Sequence, residues 1–417
     1  MDLEVVTVGT ELLLGFTLDT NAADIARALA PLGVRVVRRT TVADDTAAIR
    51  SAVSESLDRT GFAIVTGGLG PTRDDITKRA VAELYAAPLE LDEAYLQTLR
   101  NRFAKLGRGP MPETNRSQAE VPRGVAVLPN PRGTAPGLWF EDTTGVAVLL
   151  PGVPQEMRAL LKHEVVPRIQ QGREALPGGQ STVVRSRTLR TTGMSESALG
   201  EQIADLCDNL GQISLAYVPG VSGVDLRLTA WQLPDKQADD RLAQAVGTLR
   251  PVLGRNFYGE GDVELAAVLL QQLRLSELRL ATAESCTGGL IGAKLTEVPG
   301  SGDAYVGGVV CYSNESKTRD LTVPEALLQR HGAVSEPVVR AMVDGVCGRF
   351  RTETGVAVTG IAGPGGGTPE KPCGTVYIAA RWGDRLESAG RWFPGERDEV
   401  RQRSAQAALD LLRRLLG

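Results

Sequence analysis

Short apolar runs alternate with amphipathic segments along the first 170 residues of the chain. Three runs have the length and β-branched content of buried strands: LEVVTVG (3–9), VRVVRRTTV (34–42) and FAIVTGG (62–68). Residues 20–33 and 45–59 lie between them and repeat apolar positions with helical spacing. Strands joined through helices of this length predict parallel βαβ units in an α/β sandwich over residues 1–170.

The remaining sequence predicts two further domains, because 417 residues are too many for a single hydrophobic core. A loose, glycine-containing stretch at residues 171–180 predicts a linker. Residues 178–256 predict a small α+β module with a hairpin turn in PGVSG (219–223). Residues 258–417 alternate strand and helix patterns and end in an amphipathic helix. The chain is therefore predicted to be a three-domain α/β protein.

Bulk composition excludes several classes of protein. The net charge is -4, so the basic stripe typical of a general nucleic-acid binder is not expected. Apolar runs stay below the roughly 18 residues that span a bilayer, and the first residues predict a strand rather than a signal peptide. The five cysteines are scattered without a CxxC pair, so a disulfide framework is not expected. We therefore expect a reducing compartment, the cytoplasm.

Histidine is scarce, which limits the chemistry that the chain can perform. Only His163 and His331 are present, so a general base has to come from another residue type. Lys317 is a candidate, because it begins a helix directly after a predicted strand. An unperturbed lysine has a pKa of about 10.4, and burial near a helix start could lower that value by about 3 units. Such a lysine could accept a proton from a serine.

The serine candidate is Ser285 in the motif AESCTGG (283–289), where a buried-strand pattern changes to a helix. A side chain at such a turn is exposed, and free N–H groups at the helix start could stabilise an oxyanion. Tyr312 ends the strand before Lys317 and could relay a proton or orient the amine. Further residues of this turn are predicted to contact substrate: Glu284, Thr287, Gly288 and Gly289.

Simpler interpretations of these residues stay open at this point. The TGG sequence is also typical of a tight turn, and a lysine early in a helix is usually solvated. Cys286 is a rival nucleophile, since a thiol at a helix start has a lowered pKa. It is equally a small apolar residue that fills glycine-rich packing.

Two other segments of the last third are candidates for binding an anion. The loop Gly360, Ile361, Ala362, Gly363 follows a strand, and consecutive free N–H groups suit a phosphate. Arg397 and Arg401 at the next helix start could hold a phosphate bidentately. The loop could also be a simple crossover, and the arginines an exposed charged turn.

A similar strand, glycine turn and helix occur near the N-terminus, in TGGLGPTRDDIT (66–77). The turn residues Gly67, Gly68, Gly70 and Thr72 predict a phosphoryl site. Carboxylates at strand ends could hold a hard divalent cation there, and the candidate ligands are Asp44, Asp74 and Asp75. Asp19 and Asp44 could instead cap helices.

Taken in order, these motifs resemble the CinA (competence/damage-inducible) family over the whole chain. GTELLLGFTLDTN (9–21), TGGLGPTRDDIT, NPRGTAPG and LPGVPQEM are similar to its N-terminal domain, which is related to molybdopterin-binding MogA/MoaB proteins. AESCTGG, CYSNESK, TGIAGP, EKPCGTVYIA and FPGERDEVR are similar to its C-terminal domain. The resemblance implies a MogA/MoaB-like α/β sandwich (1–170), a KH-like α+β connector (178–256) and an α/β/α domain (258–417).

For the C-terminal domain the resemblance implies a nicotinamide mononucleotide (NMN) deamidase. NMN would be converted to nicotinate mononucleotide and ammonia without a cofactor, with Ser285 and Lys317 as the catalytic pair and Tyr312 assisting. The loop Gly360–Gly363 and Arg397 would face the nucleotide.

For the N-terminal domain the resemblance implies an ADP-ribose pyrophosphatase that depends on a divalent metal, Mg, Mn or Co. Asp44 and Asp75 match two acidic positions of the family pattern. Thr10 stands where many relatives carry aspartate, so the motif reads GTELL here.

The middle module contains GVSG (220–223), which superficially matches the KH nucleic-acid loop. The local pattern places it between strands, so we expect a structural or dimer-forming connector without direct nucleic-acid binding. The hypothesis is a cytoplasmic, homodimeric enzyme of NAD-derived nucleotides. The alternative is a non-catalytic nucleotide- or pterin-binding adaptor in competence or DNA damage.

Overall fold

The computed structural model describes residues 1–105, 109–174, 182–207 and 209–417 of the chain. By spatial contacts these residues separate into two units, 1–185 with 230–240 and 186–229 with 241–417. The predicted linker at 171–180 lies mostly outside the described residues.

The N-terminal domain is built on a six-stranded sheet of order β2-β1-β3-β8-β7-β6. Its strands, with a separate β4–β5 pair, are β1 Asp2–Val8, β2 Arg35–Val42, β3 Phe62–Thr66, β4 Leu89–Leu91, β5 Glu120–Pro122, β6 Ala126–Leu128, β7 Gly137–Asp142 and β8 Gly145–Leu150. Its helices are α1 Thr10–Leu13, α2 Asn21–Leu29, α3 Thr46–Thr60, α4 Thr77–Leu84, α5 Glu93–Lys105, α6 Pro154–Leu160 and α7 Val166–Glu174. The strands β1, β2, β3 and β8 are parallel, which confirms the predicted βαβ units, whereas β7 is antiparallel to β6 and β8.

Helices cover both faces of this sheet. Val6 of β1 packs in one apolar cluster with α3 and α4, whereas its neighbour Val5 packs in the other with α2 and α6. Successive side chains of a strand point to opposite faces, so a strand buried on both sides reads as a continuous apolar run. Asp45 caps the N-terminus of α3, because its side chain accepts a hydrogen bond from the Ala48 N–H at 2.9 Å.

The middle module is a four-stranded sheet of order β10-β11-β9-β12 with two helices. Its elements are β9 Thr182–Thr191, α8 Glu196–Cys207, β10 Ile213–Gly220, β11 Gly223–Pro234, α9 Asp235–Leu253 and β12 Phe257–Glu260. Residues 220–223 form the turn between β10 and β11, which confirms the predicted hairpin. The GVSG sequence therefore does not join two helices as it does in an RNA-binding KH domain.

The C-terminal domain has a five-stranded sheet of order β14-β13-β15-β16-β17. Its elements are α10 Leu265–Leu275, β13 Leu280–Glu284, α11 Leu290–Thr296, β14 Tyr305–Val310, α12 Asn314–Leu321, α13 Glu325–His331, α14 Glu336–Phe350, β15 Thr354–Gly360, β16 Thr375–Trp382, β17 Arg385–Trp392 and α15 Arg397–Leu416. One apolar cluster packs α10, α11 and α15 on the sheet, and a second packs the helices α12 to α14 on the other face.

The register of this sheet decides where its loops meet. β13 is central and runs parallel to both β14 and β15, with Glu284 opposite Val310 and Val358. The segments that follow these three strands therefore emerge at one edge of the sheet, which is the usual ligand edge of parallel strands. Within the part of the chain that the structure describes, no helix is long and apolar enough to cross a membrane.

Substitution of Phe140 tests the packing of the N-terminal domain. Its ring is fully buried and lies 5.0 Å from the ring of Tyr85. We expect Phe140→Ala to lower the free energy of unfolding by about 3–5 kcal/mol, because truncation leaves a cavity. Phe16→Ala is the matched control, since that ring is 81% exposed and its loss should change stability by less than about 0.5 kcal/mol. Denaturant unfolding of both variants checks the contrast, and equal effects would contradict this packing.

Candidate active site

Ser285 lies in the turn that connects β13 to α11. Its N–H donates to the carbonyl of Val358 at 3.0 Å, and its carbonyl accepts the N–H of Gly288 at 3.0 Å. Gly288 and Gly289 have φ values of 60° and 94°, a region that other residues rarely adopt. The TGG sequence is thus needed for the tight turn, and the turn also fixes the backbone of the serine. Only 7% of Ser285 is exposed.

Glu284 holds this turn from inside. Its buried carboxylate accepts hydrogen bonds from the N–H groups of Gly289 at 3.0 Å, Ile291 at 3.0 Å and Gly292 at 2.9 Å. The sequence pattern predicted that N–H groups at the start of α11 would be free to stabilise an oxyanion. These three N–H groups instead donate to the Glu284 carboxylate. Glu284 therefore fixes the turn through its side chain.

Lys317 extends from α12 to the hydroxyl of Ser285. Its Nζ lies 3.1 Å from Ser285 Oγ, 2.9 Å from the carbonyl oxygen of Cys311 and 3.4 Å from that of Tyr312. The side chain is 1% exposed, so the expectation of a solvated lysine is wrong. The helix begins with a reciprocal capping box of Ser313 and Ser316, which fixes the position of the lysine in its first turns.

These three oxygens suit an amine that exchanges a proton with Ser285. A neutral amine has two N–H donors and one lone pair, and an ammonium has three donors. An ammonium at this position donates to all three oxygens. In the neutral form the two carbonyls, which can only accept, take the two N–H groups and leave the lone pair to the Ser285 hydroxyl. Burial lowers the pKa of Lys317 below the ordinary value, because it penalises the charged form.

Cys286 is adjacent to Ser285 but has the opposite electrostatics. The thiol is 4% exposed, and burial raises its pKa to about 12. It is therefore protonated near neutral pH and is not an activated thiolate. A Cβ on Gly360 would stand 3.1 Å from its sulfur, so the thiol fills space in glycine-rich packing. His331 is exposed on α13 and contributes no hydrogen bond to this site.

Two arginines of α15 connect the surrounding loops. Arg397 donates to the carbonyl of Gly363 at 2.6 Å and to the phenol oxygen of Tyr312 at 2.9 Å. Arg401 donates to the carbonyl of Thr287 at 3.0 Å. Thr287 lies in the turn 285–289, which we call the nucleophile turn because it carries the candidate nucleophile Ser285. The phenol of Tyr312 is thus held by Arg397, whereas its backbone carbonyl orients the lysine amine. The sequence suggested Arg401 only as a possible phosphate ligand, and the fold shows that its guanidinium reaches this turn.

The loop after β15 completes this edge of the sheet. The Ile361 N–H donates to Thr375 at 2.8 Å, and the Ile361 carbonyl accepts from Gly374 at 2.7 Å. Ala362 is buried. A side chain on Gly360 would meet Val376 at 2.7 Å, so glycine is required there by close packing.

The glycine turn of the N-terminal domain follows β3. Gly67 has φ of 109° and packs so closely that a Cβ would lie 2.1 Å from the Val8 carbonyl oxygen. The Asp75 carboxylate accepts the N–H groups of Gly70 at 2.7 Å and Thr72 at 2.8 Å, and also the Thr72 hydroxyl. Asp75 therefore shapes the turn as Glu284 shapes the turn beside Ser285.

A cavity of about 450 Å³ lies beside this turn. Its lining includes Gly68, Gly70, Thr72 and four basic residues, Arg73, Lys78, Arg79 and Arg116. Lys78 donates to the carbonyls of Ser117 and Glu120, and burial lowers its pKa to about 8. The lining also includes three carboxylates, those of Asp75, Glu113 and Glu120. The four basic side chains outnumber them by one, which leaves the cavity a small positive charge for an anionic ligand.

The predicted metal ligands are not brought together as a cage. Asp44 accepts the N–H and hydroxyl of Thr10, both at 2.9 Å, and its neighbour Asp45 is the residue that caps α3. Asp74 is exposed on the turn. Among the described residues, no three His, Cys, Asp or Glu side chains converge on one point. The described carboxylates by themselves therefore do not form a metal site made only of protein ligands.

The fold and the C-terminal site define a three-domain α/β protein with a buried serine–lysine pair. Residues 4–171 match the family described as a probable molybdopterin binding domain, residues 186–259 the damage-inducible protein CinA KH domain, and residues 262–416 the CinA C-terminal domain. The chain belongs to the CinA family of competence-damage inducible proteins, which confirms the resemblance and the three-domain layout.

Relatives match over almost the full length. The chain is 50% identical over 415 residues to the CinA-like protein of Gemmatimonas aurantiaca, covering 99% of this chain and 96% of the relative. It is 42% identical over 421 residues to the CinA-like protein of Salinibacter ruber, covering 100% of both. Membership of this family supports an enzymatic or binding role related to nucleotides.

Arg401 is expected to position the nucleophile turn. We expect Arg401→Ala to slow the labelling of Ser285 by a fluorophosphonate about ten-fold, because one charge-assisted hydrogen bond to the turn is lost. Arg403→Ala is the control, since Arg403 lies on the same helix but donates to Pro394. The second-order rate constant of labelling, followed by mass spectrometry, distinguishes the two variants. Equal rates in both would show that Arg401 does not act on the turn.

Proposed function

We propose that the C-terminal domain hydrolyses the carboxamide of NMN to nicotinate mononucleotide and ammonia. The observation that carries the proposal is the 3.1 Å contact between the Lys317 amine and the Ser285 hydroxyl, with both side chains buried. The lowered pKa of Lys317 supports a base, and the raised pKa of Cys286 argues against a thiolate nucleophile.

The first half of the reaction forms an ester on the protein. The oxygen of Ser285 bonds to the carboxamide carbon while its proton moves to the Lys317 amine. The C–N bond then breaks, and Lys317 returns the proton so that the leaving group departs as ammonia. Ser285 is left esterified with the nicotinate moiety.

Water completes the cycle. It attacks the ester carbon and gives a proton to Lys317, and the bond to Ser285 breaks. Lys317 then returns the proton to the serine oxygen, and the product acid releases its remaining proton to solvent and leaves as a carboxylate. The carbonyls of Cys311 and Tyr312 keep the amine directed at the reacting atoms throughout, which is the positional contribution of the fold.

The nucleotide part of NMN carries one phosphate. Arg397 is exposed, and its guanidinium has five N–H donors. Two of these N–H groups donate to Gly363 and Tyr312, and the others are open to a ligand. We place the phosphate beside Arg397, whose guanidinium can bind a phosphate bidentately, and beside the loop Gly360–Gly363. The substrate would then bridge this loop and the turn at Ser285.

Removal of either member of the pair is expected to abolish the amidase reaction. Ser285→Ala and Lys317→Arg should each lower kcat for ammonia release from NMN by at least about 10³-fold, because arginine retains the charge but stays protonated. Lys236→Ala, at an exposed position of α9, is the control and should retain full activity. An ammonia assay with thermal unfolding of each variant gives the result. Full activity of Ser285→Ala would sink the mechanism, and an inactive Cys286→Ala together with inactivation by iodoacetamide would make the Cys286 thiol the nucleophile.

The pH dependence follows from the direction of the Lys317 shift. The neutral amine is the base, so kcat should rise with pH through the pKa of Lys317. Because burial lowers that pKa, the rise should be centred below the ordinary lysine value of about 10.4. Initial rates from about pH 6 to pH 10 would locate it, and activity that falls over this range would contradict a lysine base.

For the N-terminal domain we propose hydrolysis of ADP-ribose at the turn Gly67–Thr72. The basic residues around the 450 Å³ cavity support a pyrophosphate ligand. A divalent metal remains part of this proposal only as an added component, since Mg²⁺ is commonly held by one or two carboxylates together with substrate phosphates and water. Both proposed substrates are products of NAD turnover, which gives one chain a reason to carry both sites.

The test is the formation of AMP from ADP-ribose with and without Mg, Mn or Co. Asp75→Asn should lower the rate at least about ten-fold, because the amide cannot accept all the hydrogen bonds that shape the turn. Glu93→Gln, on α5, is the matched control and should leave the rate unchanged. If ADP-ribose binds but no AMP forms under any condition, the domain is a binding module, as the adaptor hypothesis holds.

A further inference from the structure

The densest group of exposed apolar side chains in the described residues follows β1. Leu13 is 54% exposed, Leu14 64%, Phe16 81% and Leu18 85%. We call residues 13–18 the apolar strap. Exposed apolar residues in such a cluster mark a binding surface, whereas single exposed ones need no explanation.

The strap is held at both ends. Before it, the N–H and hydroxyl of Thr10 donate to Asp44 at 2.9 Å each. After it, the amide of Asn21 donates to Thr66 Oγ1 at 3.0 Å and to the carbonyl of Gly152 at 2.7 Å.

The backbone inside the strap is also ordered by hydrogen bonds. The Phe16 N–H donates to Glu11 at 3.0 Å, and the Leu14 N–H donates to Thr10 at 3.0 Å. The apolar side chains are therefore presented by a fixed backbone, which lowers the entropic cost of using them to bind.

The anchors place the strap at the ligand edge of the sheet. Asp44 follows β2, Thr66 ends β3, and Gly152 follows β8, so the anchors lie at the carboxyl ends of parallel strands. Thr66 directly precedes Gly67, the first residue of the glycine turn. Val153, next to the Gly152 anchor, is also 54% exposed and adds apolar surface to the same edge.

The edge thus combines two kinds of surface. The cavity beside the glycine turn offers four basic side chains for phosphates against three carboxylates, and the strap offers an aromatic ring with aliphatic neighbours. A nucleotide has this same division into a charged and a flat apolar part. We propose that the strap covers the base of a nucleotide whose phosphates lie at Gly67–Thr72, with Phe16 stacked on the base. The inference rests on the proposed nucleotide site of the N-terminal domain.

Calorimetric titration of the full chain with AMP and with ribose 5-phosphate tests this assignment. Phe16→Ala should weaken AMP binding about ten-fold or more, as expected for loss of a base-stacking aromatic ring. The same variant should bind ribose 5-phosphate as the wild type does, because that ligand lacks a base. Phe16→Trp should retain AMP binding. Leu275→Ala is the control, since Leu275 is an 80% exposed apolar residue of α10, and it should change neither affinity.

Three other results would contradict the proposal, each in a different way. Equal affinities of the wild type and Phe16→Ala for AMP would overturn the role of the strap while leaving the phosphate site intact. A wild type that binds neither ligand would overturn the nucleotide site itself. If Phe16→Ala instead lowers the molecular mass in sedimentation and leaves AMP binding unchanged, the strap is a surface between copies of the chain, and the proposal is wrong.

Discussion

The short contact between the Lys317 amine and the Ser285 hydroxyl is the interaction on which the C-terminal domain depends. A lysine amine in water would be protonated and of no use as a base. Here the side chain is buried, and two backbone carbonyls accept from it at 2.9 Å and 3.4 Å. Burial supplies the change in pKa, and the carbonyls supply the direction of the lone pair. Neither effect suffices without the other, because a neutral amine that points elsewhere cannot take the serine proton.

The rest of the site keeps these two groups in place. Ser285 is fixed by the bond of its N–H to β15 and by the turn that Glu284 holds. Lys317 is fixed by the capping box of α12. Arg397 and Arg401 then tie the glycine-rich loop and the nucleophile turn to a single helix, α15. Because a helix is more rigid than a loop, these two hydrogen bonds restrain both loops against the same rigid element.

The N-terminal and C-terminal domains use the same device with different acids. In each, a strand ends in a glycine turn, and one carboxylate accepts backbone N–H groups of that turn. Asp75 and Glu284 therefore satisfy donors that would otherwise be unpaired near the surface or in the core. The role of an acidic residue beside a glycine turn therefore cannot be read from the sequence. A carboxylate that accepts the N–H groups of the turn and one that binds a ligand occupy the same position.

The sequence alone determined the order of the elements, the three-domain layout and the candidate pair. Strands β1, β3, β13 and β15 were predictable because strands buried on both faces leave continuous apolar runs. The turn at Ser285 was predictable because only glycine tolerates the backbone conformation that follows it. Scarcity of histidine left lysine as a base, and this too is visible in the composition.

Only the tertiary structure decided which side chains meet. Ser285 and Lys317 are 32 positions apart in the sequence, and that separation carries no distance information. The contact exists because β13 and β14 are neighbours in the sheet. The same applies to Arg401, which reaches Thr287 across 114 positions. Local patterns report local backbone conformation, whereas burial, pKa and hydrogen-bond partners come from elements that are distant along the chain. For that reason the sequence could propose Asp44, Asp74 and Asp75 as metal ligands, whereas only the tertiary structure shows that Asp44 accepts hydrogen bonds from Thr10 and Asp75 from Gly70.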